Sequence, residues 1–365
     1  MKEWNSPYNP FNSMKVLLYK DELQAIADQK FMPPVVADTD PINKCNFNCI
    51  WCNAKDVMAG KKYAMSEKHL LELADFYKEW GIKSTCVAGG GEPLMNPAFN
   101  SFLERLHKNG IEIGVITNGS LMTDEHIETI ARTARWCGIS VDAGNAETYV
   151  SVKGIKDVFL FGKVLENIKK LRLKIDELGT NCDIGFKFLL HPLNASEIYD
   201  AVLLAKKYGA HDFHLRPVGW DNLTITEGKQ NILYGQWLLE RIDKQIEEAM
   251  KLESSNFHVY GVRHKFQPNL NRKINFKRCW TPPLLATFGS DGNCHLCFDM
   301  RGRKDLILCR HDPDPREILK VWGSQKHIDM IASINIKDCP RCTFGTYNEI
   351  IENVFLKDRM CRLHI

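Results

Sequence analysis

The ten residues from Lys44 to Asn53, KCNFNCIWCN, carry Cys45, Cys49 and Cys52 within a span of eight. Thiolates are soft ligands that select zinc or iron–sulfur clusters, and a closed structural zinc site takes four ligands. Here the fourth is missing from the neighbourhood. Three thiolates on one loop can instead hold three irons of a cubane [4Fe-4S] cluster and leave the last iron an open position, which a reactive metal centre requires. The substrate or a cofactor would then be the missing ligand. A zinc site, or cysteines crowded by chance, is the alternative for the same residues.

A second set begins at Cys279. Twelve residues separate it from Gly292, four more lead to Cys297, and Cys339-Pro340-Arg341-Cys342 follows after a gap of 41. Cys294, Cys309 and Cys361 are spare thiols in or near this region, and Cys294 could stand in for Cys297. Cys294-x-x-Cys297 with Cys339-x-x-Cys342 would also make a zinc knuckle pair, although the gap exceeds the usual span of a zinc ribbon. Cys86, Cys137 and Cys182 lie in apolar runs and read as small buried hydrophobes. His211 and His214 alternate within a strand-like run and read as core or surface residues. His264 and Lys265 read as part of a solvated basic face.

The elements that must present these loops follow from the hydrophobic pattern. From about 34 to 220, strand and helix alternate six times. "PVVADTDPI" is a strand running into the three-cysteine loop. Ser66 caps a helix with Leu70, Leu73, Ala74, Tyr77 and Trp80 on one face, and "STCVAGGGEP" is a buried strand ending in glycines. Asn96-Pro97 opens the next helix in cap-then-proline order. "IEIGVITNG" is a strand, Thr123 caps a helix, and "WCGISVDAG" is a strand followed by a long helix around 157–178. "CDIGFKFLL" is a strand, Asn194-x-x-Glu197 reads as a capping box, and "HDFHLRPV" is the sixth strand. This alternation predicts an α/β chain built on a partial (β/α)6 parallel barrel, with chemistry at the C-terminal ends of its strands. The cysteine loop, GGGEP, TNG, SVDAG and LRPVGW all fall there. The expected organisation is an N-terminal extension (1–33), the barrel (34–220), a connecting helix and strand region (221–275), a small cysteine-rich domain (276–345) and a helical tail (346–365).

Cys45-x-x-x-Cys49-x-x-Cys52, with Trp51 before the last cysteine, resembles the signature of the radical S-adenosylmethionine (SAM) superfamily. The resemblance implies that these cysteines ligate a [4Fe-4S] cluster whose open iron is chelated by SAM. It assigns Gly90, Gly91, Glu92 and Pro93 to the SAM methionine amino group, since glycines admit close backbone approach and a carboxylate can pair with an ammonium. Ser140 and Asp142 match the ribose-binding position, Trp51 neighbours the cofactor, and Asn118 and Arg216 neighbour SAM or the substrate. One-electron reduction then cleaves SAM to methionine and a 5′-deoxyadenosyl radical, which takes hydrogen from the substrate while the protein orients and shields it. Cys279, Cys297, Cys339 and Cys342 are similar in spacing to the SPASM and twitch auxiliary-cluster domains of the same superfamily. A full SPASM domain adds two further cysteines, at places held here by Asn348 and Glu352. The shorter twitch-type domain is therefore implied, with a second, auxiliary [4Fe-4S] cluster on those four cysteines.

The twitch likeness points to two-electron oxidation at a C–H of a small polar, sugar- or cyclitol-like substrate, with the auxiliary cluster as electron acceptor. A base near the fifth or sixth strand end would serve it, and Lys187, His191 and Arg216 are candidates. Redox-neutral dehydration or epimerisation is an alternative, the latter needing a spare thiol as hydrogen donor. Radical modification of a ribosomal peptide ranks lower, because only 44 residues precede Cys45. From another class, a zinc-ribbon binding module on an inactive barrel would fit the cysteines alone. Lysine and arginine total 48 against 45 acids, for a net +3, with no block of like charge to suit nucleic acid. The start, MKEWNSPYNPF, has no apolar signal segment, and nothing reaches roughly eighteen consecutive apolar residues. The expectation is a soluble cytoplasmic enzyme with a small-molecule substrate, a flavodoxin- or ferredoxin-type reductant, and no nucleic-acid or membrane partner.

Overall fold

The computed structural model describes residues 4, 8–10, 12–218, 234–271, 273–339 and 342–357. Its strands are β1 (Val36–Thr39), β2 (Ser84–Val87), β3 (Glu112–Thr117), β4 (Trp136–Ser140), β5 (Asp183–Leu190), β6 (Asp212–Pro217), β7 (His258–Gly261), β8 (Leu285–Phe288), β9 (Asn293–His295) and β10 (Ile307–Arg310). They form one sheet in the order β10-β9-β8-β1-β2-β3-β4-β5-β6-β7. β1 to β7 pair in parallel in chain order. β8 adds to the other edge of β1, also in parallel, and β9 and β10 follow as antiparallel strands. All six barrel strands expected from the sequence are present. The sheet extends past them at both edges, so it runs unbroken across residue 276, where the composition changes.

The helices are α1 (Lys20–Ala27), α2 (Lys55–Ala59), α3 (Glu67–Trp80), α4 (Phe99–Lys108), α5 (Asp124–Thr133), α6 (Ala146–Lys153), α7 (Phe159–Leu178), α8 (Ile198–Lys207), α9 (Gln236–Met250), α10 (Gln325–Ala332) and α11 (Gly345–Ile350). Ser66 accepts from the His69 N–H to start α3, and Gly81, at φ +87°, ends it in the left-handed region. Thr123 caps α5 in the same way. α3 packs on α4, α4 on α5, α5 on α7 and α8 on α9. Their apolar stripes meet Ile113, Val115, Ile139, Phe186 and Phe213 of the sheet in one core. On α4 alone Phe99, Phe102, Leu103 and Leu106 are buried, each contributing about 1.5–3 kcal/mol. Among the described residues no helix is long and apolar enough to cross a membrane.

Two local readings are corrected. Asn96 does not cap α4, which begins at Phe99. Its buried amide donates to the Pro41 and Met65 carbonyls while Oδ1 takes the Ala98 N–H, so Asn96 is spent fastening the exit of β1. Asn194 and Glu197 form no capping box either: α8 starts at Ile198 without a side-chain cap. Asn194 accepts from the His191 N–H and donates to the Asp142 and Leu189 carbonyls, and Glu197 accepts from the Gly144 N–H and Thr148 Oγ1. Both therefore tie the end of β4 to the end of β5. The sequence reading also passed over α6, a helix of only eight residues. Its ends are set by the Asn145 cap and by Gly154 at φ +61°.

Candidate active site

The three-cysteine loop leaves the C-terminal end of β1 and is pinned from several sides. Asn43 donates to the Lys61 and Val57 carbonyls at 2.8 and 3.2 Å and accepts from the Tyr63 N–H at 2.7 Å. The Glu92 N–H donates to the Lys44 carbonyl at 2.8 Å. Gly91 lies so close beneath that a Cβ would drive into the Lys44 backbone. From the α6 side, the Asn48 and Ile50 N–H groups donate to the Lys153 and Val152 carbonyls at 3.0 Å, and Gly154 leaves room for the Asn48 carbonyl that a Cβ would fill.

Cys45, Cys49 and Cys52 face one another closely enough to interact electrostatically. Burial pushes the Cys45 thiol up to about 11 and the Cys49 thiol up to about 12, with Lys153 pulling both back and the neighbouring thiols adding to the rise. Lys153 is itself buried and pairs with Asp142 at 2.5 Å. Three thiols grouped beside one buried cation fit three irons of a cubane; iron binding would take their protons. Among the described residues no three His, Cys, Asp or Glu side chains converge to hold a single metal ion.

Most residues that the sequence assigned to SAM hold loops in place. Glu92 is buried, and its carboxylate accepts from Thr117 Oγ1 at 2.5 Å, the Asn118 N–H at 2.8 Å and the Leu94 N–H at 3.2 Å. Burial raises its pKa against those bonds. Pro93 opens the short 3-10 turn that follows. Asn118 donates to Asn46 of the cysteine loop and accepts from Ser120. Asp142, at φ +64°, gives its carboxylate to Lys153 and to the Leu189 N–H. Trp51 is buried 5.6 Å from the His191 ring. Gly90 packs against Val57 and Asn43. Ser140, at the end of β4, reaches the cavity described next.

A cavity of about 390 Å³ opens at the strand ends. Its walls include Asp38 of β1, Cys86 of β2, Ile116 of β3, Trp136 and Ser140 of β4, Lys187 of β5 and Arg216 of β6, closed over by Phe298, Arg301 and Thr343. Asp38 and Cys86 are register partners across β1 and β2. Trp136 covers Gly114, where a Cβ would enter its indole ring. Lys187 lies across Gly138 and Gly185, reaching within 3.6 Å of Asp212 and 5.9 Å of the Trp136 ring. Arg301 pairs with Asp40 at 2.8 Å. Burial raises Asp38 to about 7, against the pull of Arg301 and with Asp40 and Asp299 adding to the rise. Burial, with Lys187 and Arg216 nearby, holds His214 neutral against Tyr260.

Several sequence readings change here. Of the three proposed bases, Lys187 and Arg216 line the cavity, whereas His191 sits outside it against Trp51. Cys86 is not packed in the core: β2 turns it to the cavity, where burial raises its thiol pKa. Lys265 is no part of a solvated face: the 3-10 turn Arg263–Lys265 folds inward, and Nζ donates to the Thr343 carbonyl at 3.2 Å. Burial and Arg216 pull its ammonium down to about 7. Asp38 and Asp40 were missed. Their signal was the alternation in "VADTD", which puts two acids on one face of an otherwise apolar strand.

The second cysteine set gathers near the far wall. Cys279 lies near Cys339, Cys297 near Cys279 and Cys342, and Cys342 near Cys279 and Cys339, and burial raises Cys279 and Cys342 to about 12. Cys294 turns elsewhere. It is buried opposite Cys309 across β9 and β10 and shares a hydrogen bond with it. Cys361 lies outside the described residues. Asn348 and Glu352 close the Cys279 loop. Asn348 Oδ1 accepts from the Trp280 and Thr281 N–H groups at 2.5 and 3.1 Å. Glu352 accepts from the Lys277 and Arg278 N–H groups and from Trp280 Nε1.

The sequence profile of the Radical SAM superfamily matches residues 39–230. A "Probable GTP 3',8-cyclase" of Saccharolobus islandicus is 27% identical over 187 residues, covering 50% of this chain and 58% of that protein. An AdoMet-dependent heme synthase of Methanosarcina barkeri is 30% identical over 183 residues, covering 48% and 49%. The chain thus spans about half the length of the curated relatives it matches. Among solved structures, Streptococcus suis SuiB bound to S-adenosylmethionine superposes with a TM-score of 0.64 at 14% identity, covering 97% of this chain and 84% of that one. SuiB has also been solved bound to its precursor peptide SuiA.

Proposed function

The chain belongs to the radical SAM superfamily, enzymes that bind a [4Fe-4S] cluster and SAM, and from that premise we propose that it removes two electrons from a C–H site of a small polar, sugar- or cyclitol-like substrate. One observation carries the reading. The cavity wall includes Asn53, Phe298 and Thr343, the residues that directly follow Cys52, Cys297 and Cys342, so a single pocket borders the segments that carry both thiol sets. When bound, the cluster held by Cys45, Cys49 and Cys52 supplies with SAM the hydrogen-abstracting radical, and an auxiliary [4Fe-4S] cluster on Cys279, Cys297, Cys339 and Cys342 supplies an electron acceptor.

The side chains around the cavity supply the rest. For an alcohol, a hydrogen atom leaves carbon, a proton leaves oxygen, one further electron departs and a C=O bond forms. Asp38 takes the proton, being a cavity carboxylate whose proton affinity lies near neutrality. Arg216 remains a cation and serves in positioning, and Lys187 is anchored by Asp212. Trp136, packed over Gly114, supplies an aromatic part of the cavity wall. A second reading, epimerisation, draws on Cys86, a thiol facing the same space as Asp38 that could return a hydrogen atom to the substrate.

Anaerobic purification with iron, sulfide and zinc counting tests the assignment. About eight irons per chain are expected, falling to about four when Cys45, Cys49 and Cys52 are all changed to alanine. Dithionite with SAM should release 5′-deoxyadenosine from the parent and not from that variant. One zinc retained, with every iron lost in the variant, overturns the oxidation reading. Solvent deuterium appearing in recovered substrate favours epimerisation.

A further inference from the structure

We propose that Cys294 and Cys309 form a reversible disulfide site in the β9–β10 hairpin, closed by a low-molecular-weight disulfide and reopened by the corresponding thiol. Neither cysteine belongs to the two thiol sets, and both are free thiols in this structure. They are register partners across an antiparallel pair. Directly opposed residues in such a pair have Cα atoms about 4.5–5.5 Å apart, inside the window of roughly 4.4–6.8 Å that a disulfide spans. The two side chains already share a hydrogen bond, so the sulfurs face one another. An irregularity in the ladder brings this about. Ile307 lies opposite His295, so an unbroken register would set Leu308 against Cys294. One extra residue on β10 moves Cys309 into that place instead, the kind of re-aiming that a β-bulge performs.

The two thiols are unequal in a way that suits exchange. Cys294 is 1% exposed, whereas Cys309 is half-buried on the edge strand. The Cys294 S–H donates to Cys309, which draws the Cys309 thiol below its usual range, and the Lys326 ammonium adds to that pull. The same bond, with burial, keeps the Cys294 thiol protonated. Lys326 is held there by its bond to the Leu308 carbonyl at 2.9 Å. A partly exposed thiol beside a cation is the attacking kind, and its buried neighbour is placed to resolve. The Cys309 thiolate attacks the S–S bond of the small disulfide, releasing one thiolate and leaving a mixed disulfide. Cys294 then attacks the Cys309 sulfur, expelling the second small thiolate, which takes up the Cys294 proton. Two protein thiols are thereby oxidised and one small disulfide is reduced to two thiols. Closure ties β9 to the edge strand three residues before Cys297, so the segment that delivers that thiol to the second set is fastened at its base.

The test uses the parent protein with its clusters loaded. It is held anaerobically with oxidised glutathione, alkylated, cut with trypsin and read by mass spectrometry without reduction. Cleavage separates Cys309, in 305–310, from Cys294, in 279–301. The bond therefore appears as a crosslink between these two peptides, and fragmentation assigns it among Cys279, Cys294 and Cys297. A crosslink through Cys294, reversed by reduced glutathione at unchanged iron content, is expected. Cys294→Ser should instead trap glutathione on Cys309, and Cys309→Ser should leave Cys294 unmodified. No crosslink between Cys294 and Cys309 at any ratio of oxidised to reduced glutathione overturns the proposal, and so does a parent that retains glutathione on Cys309. The parent decides this even if a variant fails to load. A crosslink from Cys309 to Cys279 or Cys297 overturns it too, since the second thiol set would then be the partner. One that forms only as iron is lost does the same, being a product of disassembly.

Discussion

The two cysteine sets share a ligand chemistry and differ in how the fold grips them. The loop of Cys45, Cys49 and Cys52 is held by charge and close packing as well as by amide side chains: the buried Lys153–Asp142 pair stands behind it, Gly91 and Gly154 press against its backbone, and Asn43 and Asn118 pin it. The loop of Cys279 is held by polar caps, with Asn348 and Glu352 collecting the N–H groups of residues 277, 278, 280 and 281.

The sharpest way to break the contrast is Lys153→Met, which strands Asp142 in the interior at a cost of about 3–5 kcal/mol. Iron counting should find the first cluster lost and the second kept; equal loss from both would mean that the two regions are not independent. Gly91→Ala should act next most strongly, forcing a methyl into the Lys44 backbone at about 3 kcal/mol, the upper end for overpacking. A lowered melting temperature with loss of SAM cleavage would bear it out, and full cleavage would show that the loop can move aside. Asn348→Ala reverses the target. It unpairs the Trp280 and Thr281 N–H groups at about 1–3 kcal/mol, and should lower iron at the second set while leaving SAM cleavage by the first. The smallest effect is expected for Glu352→Gln, which keeps an acceptor and loses the charge, at about 0.5–1.5 kcal/mol. Thermal unfolding would detect it with little change in iron content.

What could be read from the sequence was local. The C-x-x-x-C-x-x-C spacing, the Ser66 and Thr123 caps and the six strand–helix alternations depend on neighbours within a few residues. The remainder depends on pairings across the chain. Cys294 was ambiguous until β9 and β10 set it opposite Cys309. Lys265 looked solvated until the turn after β7 carried it to Thr343, 78 residues away. Asn194-x-x-Glu197 has the pattern of a capping box, but tertiary acceptors and donors near Asp142 and Gly144 claimed both side chains. Cys86 shows the limit of composition: its apolar flanks are real, and strand alternation alone decides that its own side chain meets the cavity.

The parallel pairing of β1 with β8 bears on how the chain is made. Val36 lies opposite Leu285, 249 positions later. During synthesis at roughly 5–20 residues per second, about 12–50 s pass before β8 leaves the ribosome. Through that interval one edge of β1 has no strand beside it, and an open edge invites pairing with other chains. The same strand leads into the first cysteine loop, so that loop leaves a strand with one bare flank until β8 is made. Low yield of the protein from rapid expression, improved by slower translation at reduced temperature, would trace to this ladder and not to the cysteines.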